Sequence, residues 1–448
     1  MKLENIHNVY FIGIGGIGMS AIANYFKCNG KNVAGFDKTS TDITNSLQNI
    51  DIQIHFEDSV ELIPSEFKNS KNTIVVYTPA VPKNHTELTY FMSNNFRVLK
   101  RSEILGEITK NTFCFAVAGT HGKTTTSTIL GHVLKEADVN ATSFLGGISE
   151  NYNSNLILGG SEISVVEADE FDRSFLKLFP TIACITSMDA DHLDIYGEHA
   201  ALEQSFIDFA SQVSKTLIVR KGLPIEGLTY GIEEKADFDA QDIRIENGAY
   251  IFDVKTPSEV IKNIKISLPG KHNVLNAVAA LAMANSFGVP LPVIAKALLS
   301  FKGIKRRFSY KINSENLVLI DDYAHHPTEI NAVVSSVREL YPDKKVLGVF
   351  QPHLFSRTKD FIDDFASSLS KFDELILLDI YPARELPIEG VNSAWLLGKI
   401  SIDKKQISAK EKLVGNILKS KAQIIVVIGA GDIGELVENI KNNLTIEN

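Results

Sequence analysis

The stretch of the chain best suited to chemistry is a short glycine- and threonine-rich string at positions 119–126. It reads GTHGKTTT and lies between an apolar run typical of a strand and a stretch with helical spacing. Backbone beside a glycine can curl round a phosphate, Lys123 can reach the outer phosphates, and the hydroxyl of Thr124 can ligate Mg²⁺. The string predicts a phosphate-binding loop (P-loop), shortened because Val117 stands where the usual pattern has glycine.

A P-loop works with a metal-binding acid at the end of a neighbouring strand. Glu167 is the first acid after an apolar run, and we predict that it is this partner, whereas Asp169 and Glu170 also fit a solvated acidic loop. A second acidic string, DADHLD at 189–194, follows another apolar run. Because Mg²⁺ prefers oxygen ligands, physical reasoning alone favours an Asp of this string over His192.

A second glycine cluster, GIGGIG at 13–18, follows the first apolar run of the chain. Free N–H groups at the start of the predicted helix favour an anion such as a pyrophosphate. Asp37, at the end of the next predicted strand, is placed to bind a ribose. The pattern fits NAD, and it fits a UDP-sugar by the same physics. A similar string at 429–434 has only fourteen residues after it, which predicts a plain strand-to-helix turn.

Two polar strings lie near the end of the predicted central region. The first, HNVLN, opens a predicted helix, where Asn273 and Asn276 could either read a base edge or cap the helix. The second is the pair Arg306 and Arg307. Guanidinium groups suit the clamping of a transferring phosphoryl group, so the pair is a candidate for phosphate binding.

Two further strings, DDYAHHP at 321–327 and QPHLFSRT at 351–358, each end a predicted strand and begin a helix. In open parallel sheets ligands bind beyond the carboxyl ends of the strands, so both strings are expected at such an edge. The first string lacks a third metal ligand. It therefore predicts an edge that contacts substrate or nucleotide rather than a zinc site.

Short β-rich runs alternate with helical stretches along the whole chain, which predicts an α/β fold with parallel sheets. The length of 448 residues suggests two or three domains. Three series of strands favour three: a Rossmann-like domain at 1–107, a central P-loop ATPase domain with a mixed sheet at 108–308, and a Rossmann-like domain at 309–448. An Asn247-Gly248 pair predicts a hairpin in the central sheet.

Composition limits the classes of function. A net charge of −9, from 45 basic and 54 acidic residues, argues against wholesale nucleic-acid binding. The three cysteines, Cys28, Cys114 and Cys184, are far apart and predict buried free thiols in a reducing compartment. The uncharged stretch at 9–26 contains the glycine cluster, so neither a membrane span nor a signal peptide is predicted. We expect a cytoplasmic, multidomain protein.

Taken in order, these strings resemble those of the Mur ligases, the ATP-dependent amino-acid ligases of peptidoglycan precursor synthesis. The strings that carry the resemblance are GIGGIGMSAIA, GTHGKTTT, EADE, DADHLDIYG, HNVLNAVAA, RRF, DDYAHHPTE and QPHLFSRT. The resemblance implies a UDP-sugar domain, an ATPase domain and a C-terminal domain that closes over the site. The N-terminal string favours the branch that joins L-alanine to the lactyl carboxylate of UDP-N-acetylmuramate through an acyl phosphate.

The resemblance also implies roles for individual residues. The residues that would hold the UDP-sugar are Gly15, Gly16, Ile17, Gly18 and Ser20. Those that would hold ATP are Gly119, Thr120, His121, Gly122, Lys123, Thr124 and Thr125, with Asn273 and Asn276 near the adenine, Arg307 near the γ-phosphate and Asp322 on the nucleotide. The metal ligands, for Mg²⁺ or alternatively Mn²⁺, would be Thr124, Glu167 and His192. The resemblance thus favours His192 over the Asp that physical reasoning alone predicts in the string at 189–194.

Further substrate contacts are predicted at Asp37, His326, His353 and Arg357, the last two serving the amino acid or the phosphate. The predicted catalytic group is Lys123, Glu167, His192 and Arg307. The role of Leu354 stays open, because many relatives carry Arg there. A monomer or weak homodimer is expected.

Three alternatives remain open from the sequence. The nearest is a recycling ligase that adds a whole tripeptide to the same UDP-sugar. An NAD-dependent oxidoreductase would explain the first glycine cluster and Asp37 but leaves the P-loop unexplained. A nucleotide-dependent switch protein would hydrolyse ATP without any UDP-sugar.

Overall fold

The computed structural model describes residues 6–189, 199–246, 248–383 and 385–446. These residues form three sheets, of five, ten and six strands, flanked by helices. The predicted α/β class with three sheets is confirmed. Among the described residues, no helix is long and apolar enough to cross a membrane.

The N-terminal sheet is parallel and has the order β3-β2-β1-β4-β5. Its strands are β1 (Asn8–Ile12), β2 (Asn32–Phe36), β3 (Gln53–His55), β4 (Thr73–Tyr77) and β5 (Arg97–Lys100). Its α-helices are Ile17–Cys28, Asp42–Gln48, Thr86–Ser93 and Arg101–Thr109, with 3₁₀ turns at Val60–Leu62 and Ser65–Lys68. The strand order reverses beside β1, and the first glycine cluster follows that strand, which is where such sheets bind ligands.

The central sheet has the order β15-β14-β13-β12-β11-β10-β6-β9-β7-β8. Its strands are β6 (Phe113–Ala118), β7 (Ala141–Ser149), β8 (Ser154–Ile157), β9 (Ile163–Ala168), β10 (Ile182–Ile185), β11 (Thr216–Arg220), β12 (Leu228–Ile232), β13 (Phe238–Glu246), β14 (Ala249–Lys255) and β15 (Val260–Ile266). Its helices are Lys123–Glu136, His199–Ser211, Lys271–Phe287 and Leu291–Ser300, with a 3₁₀ helix at Phe171–Lys177.

The centre of this sheet is parallel, and β7 pairs with β8 antiparallel, so the predicted mixed sheet is confirmed. Of the predicted hairpin turn, Asn247 lies outside the described residues. The strands on either side of it, β13 and β14, are neighbours in the sheet.

The third sheet has the order β16-β17-β21-β18-β19-β20 and is parallel except for β16. Its strands are β16 (Ser309–Asn313), β17 (Val318–Asp322), β18 (Val346–Phe350), β19 (Glu374–Leu377), β20 (Lys405–Ile407) and β21 (Ile424–Ile428). Its helices are Pro327–Leu340, Phe355–Asp360, Ile362–Leu369, Ser393–Lys399, Leu413–Ile417 and Ile433–Ile446, with a 3₁₀ turn at Lys410–Lys412.

The chain divides into two compact units. The first contains Met1–Arg244, Ile251–Ile266 and Leu275–Lys302, and the second contains Ile245–Tyr250, Ser267–Val274 and Gly303–Asn448. The N-terminal sheet and the P-loop thus belong to one unit. The domain boundaries near residues 107 and 308 stay predictions.

One hydrophobic cluster of the first unit includes residues from both the N-terminal and the central sheets, among them Phe26, Phe144 and Phe175. The rings of Tyr25 and Phe144 lie 5.2 Å apart at this junction. In the second unit, separate apolar clusters cover the two faces of the third sheet. Because protein cores are close-packed, the shared cluster gives the two glycine-rich loops of the first unit a fixed relative position.

All three cysteines are free, as the sequence predicted. Burial raises the pKa of Cys114 and of Cys184 to about 12, which keeps both as neutral thiols. The prediction of a buried thiol is wrong for Cys28. This residue ends the helix Ile17–Cys28 on its solvent side, where its Sγ donates to Oδ1 of Asn24 at 3.3 Å.

Candidate active site

The P-loop follows β6 and begins the helix Lys123–Glu136. Gly119 and Gly122 have φ angles of +132° and +83°, which L side chains avoid. A Cβ at Gly119 would lie 2.8 Å from the backbone nitrogen of Ser187, and one at Gly122 would lie 2.6 Å from Oδ1 of Asn276. Both glycines are therefore required for the loop to take this shape.

The ammonium group of Lys123 is held by an ion pair that the sequence did not suggest. Its Nζ donates to both carboxylate oxygens of Glu170, at 2.9 and 2.7 Å, and also to the carbonyl of Gly119. Burial alone would lower the pKa of Lys123, but the carboxylates of Glu170 and Asp169 outweigh it and raise the pKa. Lys123 therefore stays charged at the loop.

Glu170 is 0% exposed, so the interpretation of this residue as part of a solvated acidic loop is wrong. The chain turns into the 3₁₀ helix Phe171–Lys177 immediately after Glu170, which directs its carboxylate inward to the lysine. Asp169 is also engaged, because its Oδ2 accepts from Nη2 of Arg101 at 3.0 Å.

Glu167 lies beside the P-loop because its strand, β9, runs parallel to β6 with Glu167 opposite Val117. Its Oε2 accepts from Oγ1 of Thr124 at 3.1 Å, and its Oε1 accepts from Oγ of Ser127 at 3.2 Å and from the N–H of Gly146 at 2.6 Å. Burial raises the pKa of this carboxyl, and the bonds to Gly146, Thr124 and Ser127 oppose that shift.

The carboxylate of Glu167 and the hydroxyl of Thr124 are hard oxygen donors in mutual contact, and this donor type fits Mg²⁺. The third predicted ligand, His192, lies outside the described residues. The start of its acidic string does reach the loop, since the N–H of Asp189 donates to Oγ1 of Thr120 at 3.1 Å and a carboxylate oxygen of Asp189 lies 3.5 Å from Nε2 of His121.

The remaining first-unit residues of the predicted nucleotide site lie in the P-loop helix or against it. Thr125 is buried in its first turn. Oδ1 of Asn276 accepts from Oγ1 of Thr126 at 3.3 Å, so this amide contacts the P-loop helix. In the second unit, Nδ2 of Asn273 donates to the carbonyl of Pro269 at 2.6 Å, at the start of its own helix.

The first glycine cluster forms a tight loop whose backbone is tied to Asp37. The N–H of Gly15 donates to Oδ2 of Asp37 at 2.7 Å, and the N–H of Thr39 donates to Oδ1 at 3.3 Å. The helix Ile17–Cys28 follows, with Gly16 as an N-cap that supplies no side-chain bond. Its first N–H groups are therefore available to an anion.

Both glycine-rich loops open onto one cleft of about 360 Å³ within the first unit. The residues that line it from the two loops and from the strands between them include Gly16, Ile17, Gly18, Arg101, Lys123, Gly146, Glu167 and Asp169. The structure thus brings together residues that the sequence assigned to two separate ligands. Arg101 was missed because it is a single basic residue outside any recognisable string.

In the second unit, Asp322 is an anchor for the backbone around it. Its carboxylate accepts from the N–H groups of Phe308 and Ala324, both at 2.7 Å. Burial raises the pKa of Asp322 to about 6, against the opposing charge of Arg307. These bonds fix the segment that carries Arg307, whose guanidinium lies 5.4 Å from the ring centre of Tyr323.

Arg306 is committed to internal contacts of the second unit. Its Nη2 donates to the carbonyl of Gly429, and its Nε lies 3.5 Å from Oδ1 of Asp321. The glycine string at 429–434 is a strand-to-helix turn, as predicted, and it packs against this guanidinium at Gly434.

The two histidines of the DDYAHHP string point to different surroundings. His326 is the N-cap of the helix Pro327–Leu340: its Nδ1 accepts from the N–H of Thr328 at 3.4 Å, and its ring packs on Phe361. His325 instead lies with its ring 5.9 Å from that of His353. Sequence reasoning missed His325, because an irregular loop has no period that would reveal side-chain direction.

His353 and Arg357 come from the string after β18, as predicted. The ring of His353 stacks on Tyr381 at 5.7 Å, and Arg357 is buried. Burial, together with the charge of Arg357, lowers the pKa of His325, although Glu329 opposes this shift.

Leu354, which lies between His353 and Arg357 in the chain, has a φ of +73°. Its N–H donates to the carbonyl of Tyr381 at 3.0 Å. A strained residue at such a place is typical of functional loops.

Three family models match successive parts of the chain. Residues 8–112 match the model described as Mur ligase family, catalytic domain. Residues 117–284 match the Mur ligase middle domain, and residues 306–432 match the Mur ligase, glutamate ligase domain.

Individual relatives match over nearly the whole chain. The UDP-N-acetylmuramate–L-alanine ligase of Flavobacterium psychrophilum is 63% identical over 99% of both chains. Among solved structures, UDP-N-acetylmuramate-alanine ligase MurC of Thermotoga maritima matches with a TM-score of 0.85 and 27% identity, covering 98% of this chain and 100% of that one. The murein peptide ligase of Psychrobacter arcticus shares the fold, with a TM-score of 0.73 and 22% identity over 98% of both chains.

The ion pair between Lys123 and Glu170 generates a prediction about stability. We expect Glu170→Gln to lower the free energy of unfolding by about 3 kcal/mol, because it leaves the largely buried ammonium of Lys123 without its counter-charge. The measurement is urea unfolding without nucleotide. Glu162→Gln, at an exposed acid, is the control and should have no effect. The double variant Lys123→Met with Glu170→Gln should recover most of the loss; an unchanged midpoint for Glu170→Gln alone would contradict the assignment.

Proposed function

The chain belongs to the Mur ligase family, and from this premise we propose that it joins L-alanine to UDP-N-acetylmuramate with ATP. The lactyl carboxylate of the sugar is phosphorylated to an acyl phosphate, and the neutral amine of L-alanine then displaces phosphate. The products are UDP-N-acetylmuramoyl-L-alanine, ADP and phosphate. The observation that carries the proposal is the 63% identity to a ligase of that name over 99% of both chains.

The P-loop would bind the phosphates of ATP. Backbone N–H groups of the loop and of the first helical turn can surround the phosphate oxygens, and Lys123, already charged, can pair with the outer ones. Thr124 and Glu167 would hold Mg²⁺ or Mn²⁺, with His192 as a further ligand by its motif. When bound, the metal supplies positive charge to the phosphoryl oxygens.

The helix Ile17–Cys28 would bind the pyrophosphate of the UDP-sugar through Gly15, Gly16, Ile17, Gly18 and Ser20. The start of this helix lines the same cleft as Lys123, so a sugar nucleotide bound there would lie within reach of the P-loop. Arg101 adds a cation to the cleft wall, beside Gly18. A shared cleft favours in-line transfer of the phosphoryl group, because both reactants are held in position and do not have to meet by diffusion.

The second unit would supply the groups for the amino acid. Arg357 and His353, together with His325, can bind the carboxylate of L-alanine, since a guanidinium pairs with a planar carboxylate through two bonds. Arg307 would stabilise the transferring phosphoryl group. The roles of Asn273, Asn276, Asp322 and His326 at the nucleotide or substrate, and of Asp37 at the ribose, stay predictions, as do the cytoplasmic location and the monomeric or weakly dimeric state.

The more distant alternative, an NAD-dependent oxidoreductase, is not favoured. Both carboxylate oxygens of Asp37 accept bonds from backbone N–H groups, and the P-loop has no part in hydride transfer. The tripeptide-adding ligase uses the same UDP-sugar and is separated by the first experiment below.

The first experiment measures phosphate release with ATP, Mg²⁺ and UDP-N-acetylmuramate, together with either L-alanine or the tripeptide. We expect release with L-alanine. Omission of the UDP-sugar is the control and should abolish release, which also separates a ligase from a nucleotide-dependent switch. Activity with the tripeptide alone would reject the proposed function.

A second prediction concerns Lys123→Ala. Loss of the ammonium should lower kcat by at least about a hundredfold, because the charge acts on the transferring phosphoryl group. The calorimetric Kd for UDP-N-acetylmuramate should change little, since the sugar nucleotide is held by a different helix. Lys135→Ala, at an exposed position of the same helix, is the matched control. If Lys123→Ala lost both the ligase activity and the binding of UDP-N-acetylmuramate, the assignment of the two ligands to different helices would be contradicted.

A third prediction concerns Gly146→Ala. Its added Cβ would overlap both carboxylate oxygens of Glu167, and the backbone conformation itself tolerates alanine. We expect the displaced carboxylate to raise several-fold the Mg²⁺ concentration needed for half-maximal rate. Gly398→Ala, where a Cβ meets open space, is the control. A Mg²⁺ titration identical to that of the wild-type protein would remove Glu167 from the metal site.

A further inference from the structure

The hairpin formed by β7 and β8, residues 141–157, contacts several parts of the candidate site. The sequence analysis assigned none of its residues to that site. We refer to it as the bridging hairpin. Strand β7 lies parallel to β9, with Phe144 opposite Val166. Further along β7, the N–H of Gly146 donates to Oε1 of Glu167 at 2.6 Å. One strand of the hairpin is thus fixed to the candidate metal-binding acid.

The other strand of the hairpin reaches the helix proposed to bind the pyrophosphate. Nδ2 of Asn155 donates to the carbonyl of Ile17 at 2.6 Å and to Oγ of Ser20 at 2.8 Å. Both acceptors lie in the first turn of the helix Ile17–Cys28. Since one amide group binds two atoms of the same turn, it fixes the orientation of that turn as well as its position.

The turn of the hairpin is fastened to the helices around the P-loop. Nδ2 of Asn151 donates to the carbonyl of Ser300 at 2.9 Å, and Oδ1 of Asn151 accepts from the N–H of Lys302 at 2.8 Å. The hydroxyl of Tyr152 lies 2.8 Å from Nδ1 of His132, on the P-loop helix. The bridging hairpin is therefore anchored to the helices around the P-loop at its turn and to the helix Ile17–Cys28 at Asn155.

We propose that Asn155 is a positioning residue for the UDP-sugar, and that the bridging hairpin sets the distance between the pyrophosphate helix and Glu167. This inference rests on the proposed function. The reacting carboxylate and the phosphoryl group are delivered from two different helices, and an error of about 1 Å in their relative placement can cost about a hundredfold in rate. Two directional bonds at Asn155 oppose such an error more effectively than apolar packing, which has no preferred direction.

The test compares two variants at this position. Asn155→Ala removes the amide, and Asn155→Asp keeps its shape but lacks the two N–H donors. Both should raise the Kd for UDP-N-acetylmuramate, measured by calorimetry without nucleotide, by roughly tenfold, because the helix turn that has lost its two bonds must be ordered when the sugar nucleotide binds. The KM for ATP should stay within about twofold, since the P-loop contacts of the hairpin are unchanged.

Asn151→Ala is the matched control, because it removes an amide of the same hairpin that contacts Ser300 rather than the helix Ile17–Cys28. It should lower the thermal midpoint as much as Asn155→Ala does and leave the Kd for the UDP-sugar unchanged. A Kd unaffected by Asn155→Ala would overturn the proposal. Equal losses of sugar binding, ATP binding and thermal midpoint in both variants would also overturn it, since they indicate a structural role.

The wild-type protein separates this inference from the proposed function. If it neither binds UDP-N-acetylmuramate nor releases phosphate with L-alanine, the proposed function fails and the role of Asn155 fails with it. If the wild-type protein binds the sugar normally and the Asn155 variants do so equally well, the positioning role alone is rejected.

Discussion

The ion pair between the largely buried Lys123 and the fully buried Glu170 is the interaction on which the rest of the site depends. An ammonium group that is largely removed from water loses several kcal/mol of solvation unless an opposite charge compensates it. Glu170 provides that charge from the end of the loop after β9, and the lysine in turn binds the carbonyl of Gly119. The pair thereby ties the P-loop to the segment that follows β9.

The same principle organises the charges around the cleft of the first unit. Lys123 is paired with Glu170 and Arg101 with Asp169, so each of these two cations of the cleft has a carboxylate partner. An incoming polyanion competes with carboxylates that already hold the cations in place. Pre-placed charges of this kind need little reorganisation when a phosphoryl group is transferred, which is the condition for strong electrostatic stabilisation.

Several of the polar residues predicted for the candidate site hold other residues of the chain in place. Asp37 binds the backbone of the first glycine loop, Asp322 binds the segment that carries Arg307, and Arg306 binds the turn at Gly429. Glycine-rich loops bring unsatisfied backbone groups close together, and buried groups of that kind must be bonded. Residue types that look like ligands in the sequence therefore include the anchors that fix loop shape.

Sequence patterns are sufficient to predict features that are local in the chain. Strand, glycine loop and helix follow one another within about twenty residues, so both glycine-rich loops, the α/β class and the family resemblance could be predicted from patterns alone. The position of Glu167 beside the P-loop could be predicted because this residue directly follows an apolar run. The turn at Gly429 was predicted from the few residues after it.

Contacts between residues that are distant in the chain depend on the three-dimensional fold. Glu170 lies 47 positions from Lys123, and Asn155 lies 138 positions from Ile17, so their contacts depend on strand order and register rather than on spacing. The direction of His325 rather than His326 toward His353 depends on where the following helix is capped. Local patterns encode the conformation of the backbone, whereas the partner of a side chain is set by packing between segments that are distant in the chain.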